Sequence, residues 1–421
     1  MFTCAPQEPS ERPPAAMGRA ADLPFQKMSG WQAGLRSAPL ETWDGHRNKR
    51  TPEPDVCDGS WHDIRQAIEP LLLHERMVLH SRHSGAVVFS DSLGFALLES
   101  LAAGDTDALR QSLSTRQGFS AEDADALLYD IRKTWHAAGL LAPAPPAFDL
   151  NTARLHAGRR GITLDFAHGR LNVRVRCDCE DIAMRTARTF GAYVAHPSEE
   201  ALHTIDVVQE DGRVTIVRDG RPAWHSTDGD SARFILFQEI IGILVGEENV
   251  GAVIHGALVV RDGKGMILAG PSGRGKTTLA LALANAGWTY ASDDLFALHQ
   301  DGLHAIALPM RAHVKPRATR GLLPMREYRM PRRSVEPGSM LRIDCLVFPS
   351  YSEGQASDRR AIDPAEALQI LLQSGTEPSR RNRSLRPLAD LVKDVRAVGL
   401  SYGSTPAGVS ACAALARTEL S

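Results

Sequence analysis

The sequence predicts an α/β protein that carries a phosphate-binding loop and is preceded by a small α+β unit. Three observations support this prediction. The segment from Gly270 to Thr277 fits the pattern G-x-x-x-x-G-K-[ST] without a mismatch. A short apolar run, Met266 to Ala269, precedes it as a strand would, and the Leu/Ala-rich run from Thr278 to Ala286 follows it as a helix would. Upstream, two short strand-like runs and three helix-like runs end at a proline-rich segment.

The first 58 residues are rich in Pro, Ala, Arg and Glu and show no sustained apolar periodicity. Such a segment cannot bury enough apolar surface to offset the entropy lost on ordering. We therefore expect residues 1–58 to be disordered. Met17 and Met28 are later candidate translation starts.

Residues 59–141 predict a winged-helix-like α+β unit. Met77 to His80 and Ala86 to Phe89 have the character of short strands. Three helices are expected after them, and the third has the clearest signal. Ser120 and Asp123 form a capping pattern at its start, and Gly139 follows its end.

This unit resembles the PqqD-like peptide-binding domains, which recognise precursors in ribosomal peptide modification systems. The residues that carry the resemblance are Gly85 to Ser90, Leu97-Leu98 and Ile131 to Leu141. The resemblance implies that a leader peptide adds a strand to an exposed edge of the sheet. The alternative is a generic winged-helix fold that serves only for packing.

A proline-rich linker, residues 142–148, separates this unit from a second predicted domain, residues 149–421. Strands are expected at 162–166, 171–175, 204–208, 213–217 and 340–348. Helices are expected at 181–193, 231–244, 364–372 and 406–415. Cys177 and Cys179 lack a second ligand pair, so we interpret them as structural cysteines and not as a metal site.

The loop itself predicts nucleotide binding, with ATP and Mg²⁺ as the expected ligands. Glycines let backbone N–H groups approach phosphates, and the helix N-terminus adds partial positive charge. Lys276 would reach the β- and γ-phosphates, and the hydroxyl of Thr277 would ligate Mg²⁺. The expected nucleotide-binding residues are Gly270, Pro271, Ser272, Gly273, Arg274, Gly275, Lys276, Thr277 and Thr278.

Two carboxylates, Asp293 and Asp294, follow Lys276 within one helix and one strand. We expect this second strand to lie near the strand that leads into the loop, which would bring the carboxylates close to the phosphates. Carboxylates at that point hold Mg²⁺ or accept a proton from a hydroxyl nucleophile. His255 precedes Gly256 on an earlier apolar run; alone, such a histidine is more often a structural residue.

Together, His255-Gly256, the loop from Gly270 to Thr277 and Asp293-Asp294 resemble the catalytic core of the HPr kinase/phosphorylase family. The resemblance implies a phosphoenolpyruvate-carboxykinase-like α/β core that transfers phosphate to a protein serine. It also implies Lys276 at the phosphates, Thr277 at Mg²⁺ and Asp294 as the base, with His255 and Asp293 completing the site. The founding family forms hexamers, so the resemblance implies a homo-oligomer.

The chain also departs from that family, since it has no convincing counterpart of the segment with an acidic metal ligand and a downstream arginine. A divergent relative fits better, such as the kinases of lasso-peptide clusters, which phosphorylate a precursor peptide. A PqqD-like unit would then hold the leader and raise the local concentration of a serine or threonine. Two alternatives stay open: a nucleotide-dependent peptide-binding or sensing module without transfer, and a small-molecule kinase.

The segment from Arg311 to Arg333 is strongly basic, which is typical either of a lid that grips phosphate or of a solvated loop. In it, Arg311 and Lys315 resemble a Pro/Arg/Lys segment of HPr-kinase-related proteins and would offset phosphate charge.

Composition sets the remaining expectations. The net charge of −2 and the acidic third helix of the first unit argue against nucleic acid as a partner. The chain has no apolar run long enough to span a membrane and no apolar secretion signal. Six scattered cysteines suit a reducing compartment. We therefore expect a cytoplasmic protein with no membrane partner.

Overall fold

The computed structural model describes residues 61–142, 161–196, 201–210, 212–226, 229–314 and 327–417. Within these ranges the protein is a mixed α/β structure with sheets of three, five and nine strands and a two-stranded hairpin. The segment predicted to be disordered (residues 1–58), the proline-rich linker from residue 143 onward and the basic residues 315–326 lie outside the described residues.

The first unit contains an antiparallel sheet and a set of helices. Its elements are α1 (Trp61–Ala67), β1 (Ile68–Leu73), β2 (Arg76–Ser81), β3 (Val87–Ser90), α2 (Ser92–Ala103), α3 (Asp107–Gln117) and α4 (Ala121–Ala137). The predicted strands and three helices are confirmed, and the side chain of Ser120 caps α4 by accepting from the N–H of Asp123. The sequence reasoning missed α1 and β1, which have no turn residue between them.

The sheet of the first unit is buried on both faces. Strand alternation sends Ile68, Leu79 and Val88 into the core formed with α1–α4. On the opposite face Leu71, Leu73, Val78 and Phe89 belong to the same apolar cluster as residues of the second domain. The first unit is therefore packed against the rest of the protein through a shared core. Two domains joined only by a linker would not need such a core.

A five-stranded sheet with order β4-β5-β6-β7-β8 and two helices follow. The elements are β4 (Ile162–His168), β5 (Leu171–Cys177), α5 (Glu180–Thr189), β6 (His203–Glu210), β7 (Arg213–Arg218), β8 (Arg221–Ser226) and α6 (Gly229–Val245). Helix α6 is apolar on nearly every side and is buried between this sheet and the nine-stranded sheet.

Seven strands of the nine-stranded sheet are hydrogen-bonded in the order β10-β9-β12-β13-β16-β19-β17. Strand β10 also pairs with β16. Its first elements are β9 (Val250–Arg261), β10 (Lys264–Ala269), α7 (Lys276–Asn285), β11 (Thr289–Ser292), β12 (Leu295–His299) and β13 (His304–Ile306). A hairpin of β14 (Ala312–Val314) and β15 (Glu327–Arg329) follows. The last elements are β16 (Met340–Tyr351), β17 (Asp358–Ala361), α8 (Pro364–Gln373), β18 (Glu377–Pro378), α9 (Arg386–Asp394), β19 (Arg396–Tyr402) and α10 (Thr405–Arg417).

Strands β10, β16 and β19 run parallel, so their carboxyl ends meet at one edge of the sheet. The phosphate loop leaves β10 at this edge, which is where open α/β sheets bind ligands. As expected, the strand before Asp293 lies near the strand that enters the loop, although one strand separates the two. Strand β11 pairs with β9, and β9 lies between β11 and β10.

Candidate active site

The phosphate loop joins β10 to α7, as its sequence pattern predicts. Gly270, Gly273 and Gly275 all have positive φ, between 84° and 132°, which residues with a Cβ adopt at a cost. Lys276 begins α7 and is nearly buried, with 8% of its surface exposed. Its Nζ donates to the carbonyl oxygens of Gly270 (2.6 Å) and Pro271 (3.2 Å). The ammonium group is therefore held over the loop by its carbonyl oxygens.

His255 lies in β9, one residue from the point where β9 pairs with the end of β10. Gly256 is the partner of Ala269, the last residue before the loop. A Cβ on Gly256 would lie 2.7 Å from the carbonyl oxygen of Leu268, so only glycine permits this close approach of the two strands. The backbone N–H of His255 donates to Thr376 Oγ1 (3.2 Å), which fixes the histidine beside the loop.

Asp293 and Asp294 lie at a break in a strand. Strands β11 and β12 both pair with β9, and the two carboxylates fall between them. Asp294 has φ of 72°, in the left-handed region, and its carbonyl accepts from the N–H of Gly256 (3.1 Å). Because Gly256 also pairs with Ala269, the break lies directly across β9 from the start of the loop.

Asp293 is hydrogen-bonded to Thr277. Its Oδ1 accepts from Thr277 Oγ1 (3.1 Å), whereas its Oδ2 is buried and has no hydrogen-bond partner. Burial, and then the charge of neighbouring Asp294, raise the pKa of Asp293 from 3.8 to about 7. A cation next to this carboxylate would remove the cost of its charge.

These two residues fit Mg²⁺. A threonine hydroxyl and an unpartnered carboxylate oxygen are hard ligands of the kind this ion prefers. Within the described ranges, no group of three or more His, Cys, Asp or Glu side chains is arranged to hold a metal. Mg²⁺ characteristically takes one or two protein ligands and completes its shell with water and substrate phosphate.

Asp294 is flanked by two basic side chains. His255 Nε2 lies 3.5 Å from Oδ1, and Arg233 Nη1 lies 3.8 Å from Oδ2. About a third of the Asp294 side chain is exposed to solvent, in contrast to Asp293, which is 2% exposed. The geometry thus separates the pair into one carboxylate that faces Thr277 and one that opens toward solvent.

Arg233 was missed by sequence reasoning. It comes from α6, and its guanidinium lies 5.2 Å from the centre of the Phe237 ring. Its buried Nε has no hydrogen-bond partner. The available signal was an arginine next to the long apolar stretch of this helix, where a charged side chain is uncommon.

Other predicted residues lie elsewhere. Arg311 directs its guanidinium at Gly191, 3.0 Å from where a Cβ of that glycine would be, and Lys315 is outside the described residues. Cys177 is buried, its Sγ donates to the carbonyl of Cys179 (3.2 Å), and burial raises the pKa of this thiol to about 12. A neutral buried thiol is a packing residue.

The chain is similar to known proteins over part of its length. Residues 226–320, which include α6, His255, the loop and both aspartates, match the family model described as "SynChlorMet cassette protein ScmC". The solved structures similar to the chain include the Hpr(Ser) kinase/phosphatase from Coxiella burnetii, at 13% identity over 39% of this chain and 93% of that chain, with a TM-score of 0.23. No curated protein matches the chain. No helix in the described ranges is long and apolar enough to cross a membrane.

Proposed function

We propose that the protein is an ATP- and Mg²⁺-dependent kinase that transfers the γ-phosphate to a serine or threonine hydroxyl of a peptide or protein. The observation that carries this proposal is the position of Asp294, an accessible carboxylate across one strand from the phosphate loop and 3.5 Å from His255. A nucleotide-binding loop alone serves many reactions. A carboxylate open to solvent beside it favours transfer to a hydroxyl.

In this proposal each residue has one task. Asp294 accepts the hydroxyl proton as the hydroxyl oxygen attacks the γ-phosphorus, and the bond to the bridging oxygen of ADP breaks. Lys276 and Arg233 offset negative charge on the phosphates and carboxylates, and His255 orients Asp294. Thr277 and Asp293 would hold Mg²⁺, which supplies charge neutralisation at the phosphates.

Transfer of label from γ-labelled ATP to peptides encoded beside the gene tests the proposal. We expect Asp294→Asn to lower the transfer rate by about 10²–10⁴-fold, the range lost with a general base. Asp262→Asn is a matched control, because Asp262 is an exposed aspartate in the β9–β10 turn that also has positive φ (52°). Full activity of Asp294→Asn would exclude Asp294 as the base.

The same assay separates the alternatives. A nucleotide-dependent binding module would retain the peptide in the presence of ATP without incorporating label. A small-molecule kinase would label a metabolite from cell extract and leave every peptide unlabelled. Deleting the first unit would not separate these alternatives. The deletion would also remove part of the apolar core of the second domain, to which Leu71, Leu73, Val78 and Phe89 contribute.

Leader binding at the first unit needs a free strand edge, and β3 offers one among the described residues. It pairs only with β2 there, and the bond from Ser81 N–H to Ala86 O indicates that the backbone groups of Val87 and Phe89 face away from β2. We infer that a leader peptide adds to this edge.

Two leader peptides, N-methylated at alternate residues and shifted by one position relative to each other, test this inference. Only one of the two methylation patterns blocks the peptide amides that would pair with β3. The peptide with that pattern should lose binding, and the other should keep it. Equal binding of both would argue against strand addition.

A further inference from the structure

The phosphate loop has a second side, away from β9, that carries neither His255 nor the two aspartates. His255, Asp293 and Asp294 all lie on the side of β10 that faces β9. In the proposed function these residues act at the γ-phosphate. A nucleoside at the other end of the polyphosphate chain would then lie toward the other side of β10, where its neighbours are β16 and then β19.

Two tyrosines terminate those strands. Tyr351 is the last residue of β16, Tyr402 is the last of β19, and the two are paired in register. Their ring centres are 5.6 Å apart with a tilt of 59°. A Cβ on Gly275 of the loop would lie 2.8 Å from Tyr402 Oη and 3.5 Å from Tyr351 Cβ. The hydroxyl of Tyr402 and the first side-chain carbon of Tyr351 therefore lie against the loop, and the Tyr351 ring extends from there beside Tyr402.

The two tyrosines differ in exposure. Tyr402 is 2% exposed, and a Cβ on Gly408 of α10 would lie 2.9 Å from its ring, so it is fixed between loop and helix. Tyr351 is 41% exposed although it packs against Tyr402. Among the described residues the other large exposed aromatic side chain is Tyr129, in the first unit. An exposed aromatic ring with a rigid support is the form that a stacking surface takes.

The backbone around Tyr351 is tied down as well. The N–H of Ser352 donates to the carbonyl of Tyr402 (3.1 Å), and Gly403 approaches Gln355 so closely that a Cβ would lie 2.3 Å from its carbonyl oxygen. Arg274 of the loop donates to Ser350 Oγ (3.3 Å). The ends of β16 and β19 and the loop thus form one connected surface.

We propose that Tyr351, supported by Tyr402, is the surface on which the base of the loop-bound nucleotide stacks. This proposal rests on nucleotide binding at the loop, as in the proposed function, but not on what receives the phosphate. Stacking on an aromatic ring tolerates any base, so ATP and GTP should both depend on Tyr351.

Equilibrium binding of ATP and of inorganic tripolyphosphate to the full chain tests the proposal. Tyr351→Ala should weaken ATP about tenfold or more, the range for loss of one base–aromatic stack. Tripolyphosphate, which has no base, should bind this variant as it binds the parent. Tyr351→Phe should keep ATP affinity, and Tyr129→Ala, with 50% exposure in the parent residue, is the control for a surface tyrosine.

Tyr351→Trp gives a second readout that does not depend on the alanine variant folding correctly. ATP should quench the fluorescence added by this tryptophan, and tripolyphosphate should not. Unchanged ATP affinity in Tyr351→Ala, or equal loss of ATP and tripolyphosphate, would overturn the stacking role while leaving the kinase proposal standing. Failure of the parent protein to bind either ligand would overturn both.

Discussion

Two buried carboxylates, Glu69 and Asp293, have different surroundings in two parts of this protein. Glu69 lies between the first unit and the second domain and is 5% exposed; Asp293 lies at the phosphate loop and is 2% exposed. Glu69 accepts from Ser384 Oγ (2.7 Å), Leu385 N–H (2.9 Å) and Arg82 Nη2 (3.1 Å). Asp293 accepts from the hydroxyl of Thr277 and has one oxygen without a partner.

Their pKa values move in opposite directions. Burial by itself raises the pKa of Glu69, but His80 (3.5 Å away), Ser384, Leu385 and Arg82 together outweigh it and lower the pKa to about 2. At Asp293 burial prevails, and the pKa rises to about 7. The two carboxylates are buried to a similar depth and differ in the number of hydrogen-bond donors around them. Glu69, with several donors, joins two parts of the fold, whereas Asp293 keeps one oxygen without a donor.

The largest expected effect is at the loop. Asp293→Asn should lower the proposed phosphate transfer by about 10³-fold or more, because Asp293 is a proposed ligand of Mg²⁺. The same change should stabilise the fold at high pH. Since the pKa of Asp293 is raised from 3.8 to about 7, its ionisation reduces stability progressively between these values and fully above them. We expect a gain of roughly 2–4 kcal/mol at pH 8.5 and little at pH 4.

Glu377→Gln is the control for that experiment. Glu377 is also buried, burial raises its pKa to about 7, and it pairs with β9 at Val253. Chemical unfolding at the two pH values should show a pH-dependent gain in both variants, somewhat smaller for Glu377→Gln because its pKa is raised from 4.5 and not from 3.8. Only Asp293→Asn should lose Mg²⁺-dependent nucleotide binding. A loss of stability in Asp293→Asn at pH 8.5 would contradict this account.

The second prediction concerns the interface. Glu69→Ala leaves the donors of Ser384, Leu385 and Arg82 without their acceptor, so unfolding free energy should fall by about 2–4 kcal/mol. Glu99→Ala removes the surface partner of Arg65 in the same unit and should change stability by less than about 0.5 kcal/mol. Nucleotide affinity should be unchanged in both variants below the unfolding transition, and a parallel loss of affinity would show that the interface and the loop are coupled.

A third prediction uses pH at the interface. The pKa of Glu69 is depressed from 4.5 to about 2, so its stabilising contribution is complete above 4.5 and is lost as the pH falls through 2. Between pH 5 and pH 3 we expect a loss of about 1–2 kcal/mol from this group. Glu69→Gln should show a correspondingly smaller change over the same interval, and an identical slope in parent and variant would argue against the depressed pKa.

The smallest change in stability should come from helix caps that lie in neither the phosphate loop nor the interface around Glu69. Asp91 caps α2 through Gly94 N–H (2.9 Å), and Asp363 caps α8 through Ala365 N–H (3.0 Å). Replacing either with alanine should cost about 1 kcal/mol and leave both nucleotide binding and transfer intact. Thermal unfolding measures the cost, and a much larger loss from Asp91→Ala would contradict a role limited to capping α2.

Local signals made much of the fold predictable. Turn glycines, capping residues and apolar periodicity identified β2, β3 and α4 in the first unit, and the loop with its flanking strand and helix in the second domain. These features depend on residues a few positions apart. The elements that were missed, such as α1, β1, α9 and β19, follow one another without a clear break in composition.

The site was predictable only as a list of residues. The sequence predicted that Asp294 lies close to the loop. It did not predict that Asp294 lies at a break between β11 and β12, across β9 from the loop. Arg233 approaches Asp294 from α6, and Tyr351 approaches the loop from the end of β16, both from distant parts of the chain.

By itself the sequence determined the phosphate loop, because a glycine-rich turn between strand and helix is specified by contiguous residues and backbone sterics. It also determined that two carboxylates and a histidine were available as partners. The tertiary structure alone decided which carboxylate is buried against Thr277 and which opens toward solvent, and that the first unit shares a core with the second domain. Burial and hydrogen-bond number set these roles, and both depend on contacts between residues distant in the chain.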